Sequence, residues 1–154
     1  MNRKAFWLTL MTLALALPAS ADGPFRFFAL TPCRLYDTRQ PADAPALVHL
    51  ATRNFTVQGK CGVPAGAKAV ALNVTIIAPT GQGYLTLFPA GITRPKVSTL
   101  NYVGGETALA NGAIVPLAVA TPDLSVFSYI AEPFGASGQG HVILDVTGYF
   151  ATVP

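Results

Sequence analysis

Hydrolytic sites are assembled from histidine, serine and carboxylate, and this chain supplies few of them. Its histidines are His49 and His141, and beyond residue 21 its serines are Ser98, Ser125, Ser128 and Ser137. No serine sits in a G-x-S-x-G elbow, and no H-E-x-x-H sets two histidines on one helix face for zinc. Gly138-Gln139-Gly140-His141 is a glycine-rich turn, but a phosphate loop needs a helix after it, and the residues that follow read as a strand. A Ser–His–Asp set could assemble from distant loops. A carboxylate pair could be drawn from Glu106, Asp123 and Glu132. Spacing singles out no member of either set, so the residues predict no enzyme.

A second group is informative because it is polar amid apolar strand-like runs: Asp37, Arg39, Asn73, Asn101, Asn111 and Asp145. If buried, such charges must be paired. The expected arrangement is a structural network, with Arg39 held by Asp37 or Asp145 and with the amides of Asn73 and Asn101 satisfying loop backbone. The sharper alternative is a ligand or Ca²⁺ site built on Asp37 and Asp145. Calcium loops gather several acidic oxygens in one segment, and no such segment occurs, so neither a metal nor a cofactor is expected. Cys33 and Cys61, 28 residues apart, lack CxxC spacing and nearby histidine. They make a poor zinc pair and are expected to close a disulfide in an oxidising compartment.

Such a compartment is implied by the start of the chain. Arg3 and Lys4 precede an apolar stretch from Ala5 to Leu17, Pro18 ends it, and Ala19-Ser20-Ala21 offers small residues before a cleavage expected ahead of Asp22. Residues 1–21 therefore read as a secretory signal peptide. The apolar stretch is short for a helix that must cross ~30 Å of hydrocarbon, so no membrane span is expected after cleavage. Residues 22–154 are expected to form one domain. They carry eight basic and seven acidic residues, which leaves no basic footprint for nucleic acid.

The whole sequence of 154 residues is 51% hydrophobic and 11% charged, which argues against disorder and against a coiled coil. Period-two runs cut by Gly, Pro, Asn and Asp predict strands over 25–30, 33–38, 53–58, 69–77, 84–88, 97–102, 113–117, 124–130 and 141–150. Residues 62–68 could hold one helical turn. About nine short strands without helices predict an all-β fold, an antiparallel sandwich of jelly-roll type. Pro116 places its run at a sheet edge or a kink. Val70–Thr75 and Val142–Thr147 share V-x-L-N/D-V-T, a hint of two similar halves or of two neighbouring inner strands. Asn73-Val74-Thr75 also matches a glycosylation sequon, but inside a central strand it has no room for a sugar.

Several segments together resemble a group of bacterial secreted domains found alone, in tandem or attached to other extracellular modules. They are Thr31-Pro32-Cys33-Arg34-Leu35-Tyr36-Asp37-Thr38-Arg39, Cys61-Gly62-Val63-Pro64, Leu72-Asn73-Val74-Thr75, Leu87-Phe88-Pro89-Ala90-Gly91, Asn101-Tyr102, Ala110-Asn111 and Asp145-Val146-Thr147-Gly148-Tyr149-Phe150. The resemblance implies an exported β-rich domain with a Cys33–Cys61 bridge and carries over no functional residue.

The sparse charge favours close packing against another surface. The leading expectation is a secreted, non-catalytic structural or adhesive module, self-associating at the cell surface. The alternative is a carbohydrate- or cell-wall-binding module, which would draw on Tyr36, Tyr84, Tyr102, Tyr129 and Tyr149 in the absence of tryptophan beyond Trp7. A hydrolase with an unusual site stands third.

Overall fold

Strand residues alternate between faces, so a run such as AVALNVTII can bury one complete set of side chains. In the computed structural model, which describes residues 23–131 and 138–152, it does so. Val70, Leu72, Val74 and Ile76 are buried, while Ala69, Ala71, Asn73, Thr75 and Ile77 face outward. The expected signal peptide, Glu132 and Ser137 lie outside the described residues.

The described residues are all-β, in nine strands: β1 (Arg26–Asp37), β2 (Leu47–Val48), β3 (Ala51–Phe55), β4 (Ala69–Ile77), β5 (Gln82–Pro89), β6 (Leu100–Tyr102), β7 (Ala108–Pro116), β8 (Leu124–Ala131) and β9 (Gln139–Ala151). Two antiparallel sheets form a sandwich. The first has the order β1-β9-β4-β7, with β2 pairing the start of β9, and the second has the order β3-β8-β5-β6. Between them lies a core built from Leu72, Val74, Leu85, Leu124, Val126, Ile130 and Leu144, among others.

The two V-x-L-N/D-V-T segments are neighbouring inner strands. They pair antiparallel, with Asn73 opposite Asp145 and Val74 opposite Leu144. A bulge at Thr147 then shifts the register, and Gly148 pairs with Ala71. A Cβ on Gly148 would lie 2.3 Å from the Phe27 ring, so only glycine lets that ring lie across β9. This accounts for the glycine in the run D-V-T-G-Y-F.

Several expected boundaries shift. The first two runs fuse into β1, which accommodates Pro32 at an irregularity between Ala29 and Cys33. The run at 97–102 shortens to β6, and the run around Pro116 lengthens into β7, an edge strand as its proline required. Residues 62–68 form turns rather than a helical turn, because Gly62 and Gly66 adopt positive φ. The strand β2 is too short to leave a periodic signal.

Cys33 and Cys61 are joined, with Cα atoms 5.8 Å apart. The bridge ties β1 of the first sheet to the loop by which the chain leaves the second. Replacing both cysteines by alanine is expected to lower the unfolding free energy by roughly 3–4 kcal/mol while keeping a β-type circular dichroism spectrum, as measured by urea titration.

Candidate functional site

Where β1 runs beside β9, four charged side chains form a row. Arg34 clasps Asp145 through Nε at 2.8 Å and Nη2 at 3.2 Å. Its Nη1 lies 3.5 Å from Asp37. Arg39 clasps Asp37 from the other side, through Nε at 2.9 Å and Nη2 at 2.7 Å, and its backbone N–H also donates to the carboxylate. Arg39 is therefore held by Asp37, and Asp145 is held by Arg34, a residue that sequence reasoning passed over. The Arg34 guanidinium occupies the space between the two carboxylates where a cation would have stood. Next to the row, Thr38 is buried and its hydroxyl accepts the Val142 N–H at 2.9 Å. His141 Nδ1 lies 3.2 Å from the same hydroxyl.

The six polar residues do not converge. Of them only Asp37 is buried. Asn73 reaches Thr75 on its own strand, Asn101 donates to Ser98, and Asn111 donates to the Thr99 carbonyl. Alternation explains this correction: a polar residue flanked by apolar ones, such as Asn73 between Leu72 and Val74, points to the outer face of its sheet.

Three of the residues with catalytic side chains, Asp123, Ser125 and Ser128, hold structural posts. Asp123 is completely buried, and its carboxylate accepts the N–H groups of Val57 and Gln58, each at 2.8 Å. Ser128 is buried and donates to the Val48 carbonyl, and Ser125 bonds Asn54.

The most concentrated set of recognition side chains lies on the outer face of the second sheet. Tyr84 of β5 is paired in register with Asn101 of β6 on one side and with Tyr129 of β8 on the other. The two tyrosine rings stack, 5.3 Å between centroids and 14° between planes. The His49 ring continues the row, 4.9 Å from Tyr129, with its Nδ1 accepting the Ile130 N–H. One rung of the sheet thus presents an amide, two phenols and an imidazole in line.

The rung is built by its neighbours. Gly83 precedes Tyr84, and a Cβ there would stand 1.8 Å from the Tyr129 carbonyl oxygen. With no side chain, Tyr102 can send its hydroxyl over Gly83 to donate to that same oxygen at 3.1 Å. Burial raises the pKa of this phenol well above its ordinary value, so it stays a donor. The loop after β5 folds back as a wall, pinned by Thr86 donating to the Val97 carbonyl and by Thr99 bonding Leu85 and Leu87. Arg94 of that wall lays its guanidinium over Phe127, 3.9 Å from the ring centroid. The groove so formed measures about 440 Å³ and is lined by Tyr84, Arg94, Lys96, Val97, Ser98 and Asn101. A second groove of about 450 Å³ lies over the Arg34–Asp145 pair.

Fold and site define a disulfide-stapled all-β sandwich with an aromatic, polar groove on one outer face. Comparison with protein-family models, curated proteins and solved structures finds no match.

The clasp by Arg39 holds the Asp37 carboxyl down at about 2, against the opposing effect of burial, with Arg34 adding to the attraction. A depressed carboxyl stabilises the fold above the unfolded value of ~4, and that contribution disappears as pH falls toward 2. Asp37→Asn is therefore expected to cost roughly 1.5–3 kcal/mol at neutral pH and to flatten the fall in melting temperature between about pH 4 and 2. Thermal melts of both proteins across that range check it.

Proposed function

We propose that the chain is an exported, non-catalytic adhesive module that grips a cell-surface or cell-wall polysaccharide through the groove over Tyr84. The observation that carries this reading is the Asn101–Tyr84–Tyr129 rung. Sugars offer apolar ring faces edged by hydroxyls. A stacked tyrosine supplies a rigid apolar platform, and Asn101 and Ser98 supply donors and acceptors beside it. The non-catalytic part rests on how the reactive residues are engaged: Asp123 is sealed in the core, and Asp37 and Asp145 are clasped by arginines.

Export agrees with the leader-like residues 1–21 and with the disulfide. No helix among the described residues is long and apolar enough to cross a membrane. The expected resemblance to secreted bacterial domains points the same way. A glycan array and a cell-wall pull-down test the reading. Tyr84→Ala is expected to weaken retention by about tenfold, or ~1.4 kcal/mol, while the variant still folds cooperatively with a β-type circular dichroism spectrum. Absence of retention on both surfaces would end it.

Self-association is favoured by a different observation. The edge strand β7 exposes Ala108, Ala110, Gly112, Ile114 and Pro116 with no charge along it, whereas sheet edges are ordinarily guarded by charge. Light scattering on concentrated protein should show dimers or larger species that Ile114→Lys returns to monomer. A monomeric parent protein would remove this reading.

A further inference from the structure

The groove holds more than an aromatic floor. Its wall carries Arg94-Pro95-Lys96, and both cations line the cavity. Among the described residues neither one pairs with a carboxylate. The acids near the other cations are already engaged. Asp37 and Asp145 belong to arginines, Asp123 to buried backbone, and Asp43 accepts the Asp37 N–H. In a chain with so few charges, two uncompensated cations beside one groove form a local positive field.

Arg94 is also held in place. Its guanidinium carbon lies over the Phe127 ring, 3.9 Å from the centroid, a contact that restrains the side chain. The ring beneath it, which also meets Tyr84, is only 6% exposed. A stacked guanidinium keeps its in-plane N–H groups for a planar anion, and a carboxylate is the match in geometry.

Resting on the polysaccharide reading above, we infer that the ligand is a polyuronate: a polysaccharide whose sugar rings bear carboxylates. Two features must be met together at this groove. Tyr84 requires an apolar ring face, and Arg94 and Lys96 require anionic charge close to that face. A uronic acid unit carries both on one ring. A neutral glycan leaves the cations without partners, and a glycerol-phosphate polymer offers no ring to Tyr84.

The test uses the exported chain and polygalacturonate as probe, with affinity electrophoresis against gels holding polygalacturonate, neutral galactan or poly(glycerol phosphate). Polygalacturonate should retard the protein most, and added salt should weaken the effect. The double variant Arg94→Gln/Lys96→Gln should lose about tenfold or more in affinity for it while keeping the parent's β-type circular dichroism spectrum, and Lys96→Gln alone, which leaves the Arg94–Phe127 contact in place, should lose part of that affinity with an unchanged melting temperature. Tyr84→Ala should weaken the same interaction.

Equal retardation by galactan, unaffected by the double variant, overturns the polyuronate inference and leaves the polysaccharide reading standing. Stronger retardation by poly(glycerol phosphate), or polygalacturonate binding indifferent to Tyr84→Ala, also overturns it, since simple cation exchange then suffices. Failure of polygalacturonate to retard the protein also overturns the inference, and the polysaccharide reading then stands or falls on the glycan array and the cell-wall pull-down.

Discussion

The pairing of β4 with β9 sets the rest of the structure. Both strands are central, both are nearly apolar, and their shared pattern meets in antiparallel register with Asn73 facing Asp145. A slip of β4 by one residue against β9 would turn Val74 to solvent and drive Asn73 into the core. Burial of whole apolar side chains at roughly 1.5–3 kcal/mol each makes that slip prohibitive. With the register held, Asp145 stands on the outer face at the rung where β1 delivers Arg34. The ion row, the position of β1 and the disulfide from Cys33 all follow from that one alignment.

Charge is used sparingly and mostly for construction. The Asp37 carboxylate organises the end of β1 through Arg39 and Arg34. The Asp123 carboxylate closes the gap where the chain leaves β3, since Val57 and Gln58 would otherwise bury two N–H groups without acceptors. Lys60 rests on the Tyr36 ring and donates to its hydroxyl. Against this background Arg94 and Lys96 differ, because what they face is a groove. That placement is what supports the binding role proposed for the outer face of the second sheet.

Much of the architecture was legible in the chain. Period-two runs marked most strands, Pro116 marked an edge, and two cysteines without metal partners marked a bridge. The recurring V-x-L-N/D-V-T marked neighbouring inner strands. Function was less legible, and the six polar residues show why. Flanked by apolar neighbours they look like interior anomalies, yet alternation puts most of them on outer faces. Tyr84, Tyr129 and His49 lie up to 80 positions apart in the chain and share no local pattern; only strand pairing brings them together. Arg94 offered a fainter signal, since Arg-Pro-Lys places two cations close together in a chain poor in charge.

By itself, then, the sequence determined the secondary structure, the sandwich class and the covalent staple. Each of these depends on local alternation, turn chemistry or cysteine content. Tertiary structure alone decided which carboxylate each paired arginine takes, which acid is sealed in the core, and which side chains line up across β6, β5 and β8. Those outcomes depend on cross-strand register and on backbones approaching as closely as Gly83 permits, and distance along the chain carries no record of either.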